Sequence, residues 1–420
     1  MTKGHSPWTL VAMLCATGTV SYMCRANLST TGILVMEEFN LTQVHMGWII
    51  SSFLLGYALF QIPAGLLTDR IGAKRILTWA VFLWAALTIM QSAAGSGILP
   101  ISASAVTLTL FVIFRFLLGV AESPTFPAAG VGVSRWIPPQ YRGRANGIVI
   151  ASIGLGSAIT PILVSNIMVD WGWRIAVLAT SVPALIVAVL WLRIRVPAIA
   201  VTEPANKIIE EEVPAQEKST LRSRSFILLT LSYTLEGYVA YIFVTWFYIY
   251  LVQERHFGLL TGAWMSSLPW ILSIVSIPLG GLVFDWLIAR KLRSAWNYRL
   301  VPILGLALSG ILISMGAHTS SPIVAAISLA FATAFILCIE SPFWSVMIGI
   351  AGRQSGTGGG IMNMGSNIGG FISPTLTPLI ASYIGWENAL HVAALLAMIG
   401  AALWVGIHPN VSKANQIREV

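Results

Sequence analysis

The sequence predicts an all-α integral membrane protein of twelve transmembrane helices, built as two six-helix pseudo-repeats. Three observations predict it. First, 56% of the 420 residues are hydrophobic and only 10% charged, with a mean hydropathy of +0.80. A soluble domain carries about 25% charged residues, so this chain cannot cover a water-facing surface. Second, apolar runs of roughly 20 residues recur along it, each long enough to cross a bilayer as a helix. Third, matched landmarks recur in the same order in both halves. A transmembrane barrel would need segments of about ten residues with alternating polarity, and runs such as "VFLWAALTIM" do not alternate.

In chain order, the runs fall at 8–35, 44–68, 76–94, 104–134, 145–168 and 173–194, then at 225–252, 262–285, 300–318, 322–349, 358–383 and 387–408. The first lacks the short core and small-residue cleavage site of a secretory signal and is read as retained. The second ends in a basic loop, "GLLTDRIGAKR". The fourth holds "RFLLGVAESPTFPAAG", in which Pro124 and Pro127 should kink the helix below Glu122. Residues 196–224 interrupt the pattern with five of the sixteen acids and four basic residues. They read as a cytoplasmic linker, with "NKIIEEEV" as a short surface helix. The domains are therefore 1–195, 196–224 and 225–420.

The repeat supports this division. Gly65 to Arg75 and Gly281 to Lys291 both keep Gly-x-x-x-Asp followed by basic residues, aligning Asp69 with Asp285. Glu122-Ser123-Pro124 recurs as Glu340-Ser341-Pro342, and "GLGSAITP" as "NIGGFISP". Trp173 and Trp386 each lie twelve residues beyond the closing proline, and the offsets are 216, 218 and 213. Repeated halves with a site at their interface are the build of many secondary transporters.

Basic residues set the orientation. With both termini cytoplasmic, all but Arg25, Arg115, Arg174 and Arg255 of the 24 Lys and Arg fall inside, as the positive-inside rule expects. The net charge of +8 is thus spread over successive loops, unlike the clustered basic surface of a nucleic-acid binder. Cys15, Cys24 and Cys338 lie in apolar helices and point to neither disulfide nor metal. The sequon at Asn40-Leu41-Thr42 lies hard against the membrane. "GRQSGTGGG" lacks the Gly-Lys-Ser/Thr ending of a phosphate loop. No catalytic cluster or cofactor motif is present, so the chain is not read as an enzyme.

Several stretches resemble a known family. "GLLTDRIGAKR" resembles the signature loop of the major facilitator superfamily. "SYMCRANLS", "SSFLLGYALFQIPAG", "RFLLGVAESPTFP", "TWFYIYLVQERHFG" and "TGGGIMNMGSNIGG" resemble helices one, two, four, seven and eleven of its anion:cation symporter branch, which includes bacterial galactonate, glucarate and hexuronate transporters. The resemblance implies the major facilitator fold, alternating access and proton-coupled symport of an organic anion across the inner membrane. A monomer is expected, with no cofactor.

Charges at membrane depth cost about 2.5–3.5 kcal/mol each even on lenient scales, and they mark pathways. Arg25 is permanently cationic, and its planar fork suits a carboxylate; the resemblance makes it the substrate's carboxylate ligand. The alternative is an arginine locked to an internal acid, Glu122 or Glu340. Desolvation and a nearby arginine act in opposite directions on a carboxyl, so Glu122 can load and release a proton; the resemblance assigns it proton coupling. Arg115 lies seven residues away, about 10 Å along the axis, too far for a direct bond. Related carriers have an aspartate where this chain has Cys24, and Glu340 is the proposed stand-in. Glu236 lies near midspan and could contact ligand or line a wet cavity. The resemblance places Tyr57, Trp344 and Asn363 at the cavity, and Tyr22 and Gln61 are polar candidates beside them. Gly65, Asp69, Arg70 and Asp285 are the expected gating residues, whose contacts in the superfamily latch the outward-open state. Drug export is the alternative transport reading, although "GLGSAITP" lacks the Gly-Pro pair common in such antiporters. A transporter-like sensor is the alternative of another class.

Overall fold

The computed structural model of the chain describes residues 6–94, 104–196, 220–290 and 295–408. The predicted surface helix at 206–213, most of the 196–224 linker, and Lys3, Lys207, Lys218, Lys291, Arg293, Lys413 and Arg418 lie outside the described residues. The helices are α1 (Pro7–Phe39), α2 (Gln43–Ile71), α3 (Ala73–Ser92), α4 (Ser104–Glu122), α5 (Thr125–Trp136), α6 (Arg142–Arg193), α7 (Arg224–Thr245), α8 (Phe247–Gln253), α9 (Leu259–Ala289), α10 (Trp296–His318), α11 (Pro322–Leu337), α12 (Glu340–Ala351) and α13 (Ser355–Val405).

These helices make twelve passes. α6 has 52 residues, which at about 1.5 Å per residue is more than twice a bilayer's hydrocarbon core. It turns back at Gly172, whose φ of +79° is open to glycine. Its partners along α1 show the reversal. On the outward run Ser152 meets Thr19; on the return Thr180 meets Asn27 and Trp191 meets Thr17. α13 repeats the device at Gly385, φ +85°. Thr377 meets Tyr238 on the outward run and Gly400 meets Ser232 on the return. The tryptophan after each glycine then anchors to the α1–α2 region: Trp173 donates to Glu38 at 2.7 Å, and Trp386 to Gln43 at 3.2 Å.

Nine described segments are long and apolar enough to cross a membrane, and two of them contain the reversals. α1 supplies the remaining pass. It is too polar to stand out by hydropathy, because protein rather than lipid surrounds Ser21, Arg25, Asn27 and Thr31.

Three passes are broken in the middle. The expected kink below Glu122 is a break immediately at the acid: α4 ends on Glu122 and α5 begins at Thr125, while Pro127 sits inside α5 without interrupting it. Pro124 has no amide hydrogen to continue the helix. The corresponding pass of the second half breaks between Leu337 and Glu340, and α7 passes into α8 at Trp246. Gly119 lets α2 approach α4 closely, since a β-carbon there would collide with the Phe53 carbonyl of α2. Gly280 is pressed in the same way against the Cys338 carbonyl, the small-residue packing typical of membrane bundles.

The described basic residues at helix ends gather on the face bearing the ends of the linker. The two arginines read as lying on the opposite face are tied down there. Arg174 forms a two-pronged pair with Glu38. Arg255 donates to the carbonyls of Gly316, Ala317 and Thr319 at the C-terminus of α10. On that same face the first six passes touch the last six. Gln43 donates to Gln253 at 3.0 Å, Ser51 lies 3.0 Å from Thr375, and Ser165 donates to the Leu259 carbonyl. On the linker face Asp69, Arg70 and Asp285 are exposed and Gly65 is half-buried.

Candidate functional site

Arg25 lies on α1 beside two hollows between the two sets of six passes. One is lined by Arg25, Ser29, Phe53 and Arg115 together with Tyr241 and Thr245 of α7. The other is lined by Tyr22, Arg25, Ser157, Tyr248, Ser266 and Trp270. Arg25 is 9% exposed, and its guanidinium is boxed by the rings of Phe53, Tyr22 and Tyr57, at 4.5, 4.9 and 5.0 Å. Cation–π contact of this kind supports a charge without consuming its N–H donors.

The donor inventory is informative. Arg25 Nη1 donates to the Tyr22 hydroxyl at 3.0 Å, whereas Nε and Nη2 have no partner. Those two N–H groups form one edge of the fork, the geometry that holds a carboxylate through two parallel bonds. The internal carboxylate lock is therefore not made in this conformation; neither Glu122 nor Glu340 bonds Arg25.

Arg115 has another job. It is 2% exposed and donates to the Arg25 carbonyl at 3.1 Å, to Asn27 Oδ1 at 2.8 Å and, at 3.5 Å, to the Cys24 carbonyl. It fastens α4 to the stretch of α1 that presents Arg25. Cys24 points away from the hollows, its thiol directed at the Thr180 carbonyl.

Glu122, the last residue of α4, is 1% exposed. Its Oε2 accepts a 3.0 Å bond from Ser21, one turn before Arg25 on α1, and its Oε1 has no partner. Both Arg25 and Arg115 act on it through space. The permanent cation and the acid thus share the interior of the first six passes without touching.

The other predicted residues divide. Glu340 accepts a 2.8 Å bond from Tyr233, whose ring lies 6.5 Å from that of Trp344. Glu236, one turn after Tyr233, is 1% exposed. These residues form a second polar group, in the last six passes. Asn363 and Gln61 are half-buried on α13 and α2, and no contact brings either to Arg25. Tyr241 is the residue the sequence reading missed. It lies between the groups, lining Arg25's hollow while its ring packs on Gly370 of α13. The glycine repeat in "NIGGF" was the available signal, because it makes room for a large ring.

Comparison with known proteins agrees with this architecture. The sequence profile described as Major Facilitator Superfamily matches residues 14–374. The "Probable galactarate/D-glucarate transporter" of Bacillus subtilis (strain 168) is 30% identical over 426 residues, covering 95% of this chain and 92% of its own length. The "Probable sulfoacetate transporter" of Cupriavidus necator is 28% identical over 431 residues, covering 97% of both chains. Among solved structures, that of a D-xylose–proton symporter superposes with a TM-score of 0.80 at 12% identity, covering 97% of this chain and 99% of that one. Twelve passes, paired reversals at Gly172 and Gly385, and the profile match along most of the sequence lead to one conclusion: the chain is a multi-pass membrane protein belonging to the Major Facilitator Superfamily.

Proposed function

We propose that this protein is a proton-coupled symporter of a small organic acid, of the kind named for its relatives: a sugar acid or a short sulfonated acid. Residues 1–195 and 225–420 act as two six-helix units joined by the 196–224 linker. They rock about the hollows at Arg25, in the inner membrane, as a monomer with both termini cytoplasmic. The observation that carries this reading is the free Nε/Nη2 edge of a buried arginine beside a hollow lined from both units. An unspent donor pair on a buried cation is costly to maintain, and an incoming carboxylate satisfies both donors at once.

Glu122 carries the coupling proton. When it is charged, its field competes with an anion for Arg25; when protonated, it releases that competition. Loading therefore favours a protonated Glu122, and proton loss to the cytoplasm weakens the hold on the substrate. Tyr22 and Tyr57 orient the guanidinium. Trp344, Asn363 and Gln61 are reserved for the closed, substrate-bound state, in which the units draw together on the linker face. In this reading the structure is inward-open. The outer face is shut by Gln43, Ser51 and Ser165, and the gating residues Gly65, Asp69, Arg70 and Asp285 are apart on the open side.

The test is uptake into proteoliposomes of the purified chain. Galactarate, D-glucarate and sulfoacetate are offered under an imposed inward pH gradient. Accumulation of at least one acid that collapses with a protonophore is the expected result. Accumulation indifferent to the gradient would exclude proton coupling.

A further inference from the structure

The acids of the second polar group have no role in the mechanism so far. Glu236 is 1% exposed, and its Oε1 has no hydrogen-bond partner. The charged group whose field acts on it is another acid, Glu340. No cation acts on Glu236 through space; Arg222 and Arg224 stand at the start of α7, twelve or more residues before it. α12 contributes Glu340 itself, and α8 contributes Tyr248 and Tyr250. The facing part of α13 contributes Gly365, Ser366, Gly369 and Gly370. Arg25, from α1, acts on Tyr241 rather than on Glu236. Within α7 the neighbours are Tyr233, Tyr238 and Tyr241. A carboxylate buried beside a second, half-buried one, with no cation between them, does not readily stay ionised along with it, because desolvating an ion costs several kcal/mol and like charges add to that.

We propose that Glu236 and Glu340 form a second proton site, in the C-terminal unit, holding one proton between them when loaded and releasing it once per cycle. The Tyr233 hydroxyl, 2.8 Å from Glu340 and one turn before Glu236, keeps the pair in register. Access is graded. Glu340 is half-buried beside Trp344, which is 37% exposed, whereas Tyr233 and Glu236 are 4% and 1% exposed. Glu340, the more exposed acid of the pair, is where protons enter and leave. Glu340 also occupies the repeat position of Glu122, 218 residues on, and both acids sit at a break in their pass. The inference rests on the symport reading and adds a second proton to it.

The experiment counts protons. Full-length protein in proteoliposomes takes up radiolabelled D-glucarate while a trapped dye records lumenal pH. Two protons per glucarate in the wild type, falling to one in Glu236→Gln and in Glu340→Gln, is the expected result. One proton in the wild type, or two in both variants, overturns the second site while leaving symport intact. No proton movement overturns symport as well. Accumulation driven by a sodium gradient and lost in Glu236→Gln would replace the proton by sodium. A substrate-free readout covers failure of glucarate uptake. Infrared difference spectra of the lipid-embedded protein at neutral pH should show a protonated-carboxyl band that each of these two variants diminishes. A band unchanged by Glu236→Gln and Glu340→Gln overturns the proposal.

Discussion

Replacing Arg25 by lysine keeps the charge and removes the fork. In the structure Nη1 is spent on Tyr22 at 3.0 Å, leaving Nε and Nη2 as a parallel pair of free donors. A carboxylate docked on that edge gains two charge-assisted bonds. An ammonium at the end of a lysine carries its three donors on one nitrogen, so it makes one straight bond to the same carboxylate rather than two parallel ones. One lost bond to a charged group costs about 1.5–3 kcal/mol, which is roughly a 10- to 150-fold rise in Kd. Arg25→Ala removes the charge as well and should abolish measurable binding. The assay is ligand-induced thermal stabilisation or calorimetric titration of the detergent-purified protein with whichever acid the uptake screen identifies. An Arg25→Lys protein that binds the acid with unchanged Kd would refute the fork argument, because nothing else about the substitution preserves a two-bond geometry.

Four further outcomes follow from particular contacts. Oxidising a Ser51→Cys/Thr375→Cys pair, built where the two hydroxyls lie 3.0 Å apart, should stop transport, and reductant should restore it; undiminished transport under oxidant would mean the outer face need not open. Gly119→Ala should lower thermal stability by about 1–3 kcal/mol of overpacking against Phe53, whereas Gly130→Ala, which meets nothing within 4 Å, should not. Arg115→Met should destabilise the protein, because Asn27 and the Arg25 carbonyl lose a buried donor; a melting temperature equal to wild type would show that α1 is held by other contacts. Hydrogen bonds from Arg174, joined by one from Trp173, hold the Glu38 carboxyl below its ordinary range. A lowered folded value stabilises above the unfolded carboxylate range, near pH 4.3, and that contribution disappears as pH falls through the folded value. Wild type should therefore outlast Glu38→Gln at pH 7 by no more than about 1 kcal/mol, since the pair is over a quarter exposed, and the gap should close in acid; a gap that persists at low pH would contradict this.

The membrane passes were legible because lipid imposes one simple demand: about 20 apolar residues per crossing. The helix reversals at Gly172 and Gly385 could be placed between runs, and the repeat predicted that they would match. The breaks were harder to read. Proline composition put a kink below Glu122, but whether Pro124 or Pro127 interrupts the helix depends on which carbonyls find other partners, and that is settled by packing. The individual buried charges were legible as anomalies. Their pairings were not, because Arg115 donates to two backbone carbonyls and an asparagine 88 residues away, and backbone acceptors leave no trace in composition. Tyr241 escaped for the opposite reason: a tyrosine in an aromatic-rich run carries no signal of its own, and the glycine that makes room for its ring, Gly370, lies 129 residues away. The gating motif was read from its resemblance; in this structure Asp69, Arg70 and Asp285 are exposed on the linker face.

The central claim is that a fixed cation and a titratable acid, close but unbonded, link anion binding to proton movement. Glu122→Gln tests it most directly, because it leaves Arg25 and its aromatic box in place while making the acid permanently neutral. In proteoliposomes the account predicts that this variant still exchanges internal for external substrate but no longer accumulates it down a pH gradient. Gradient-driven accumulation at the wild-type level would contradict it.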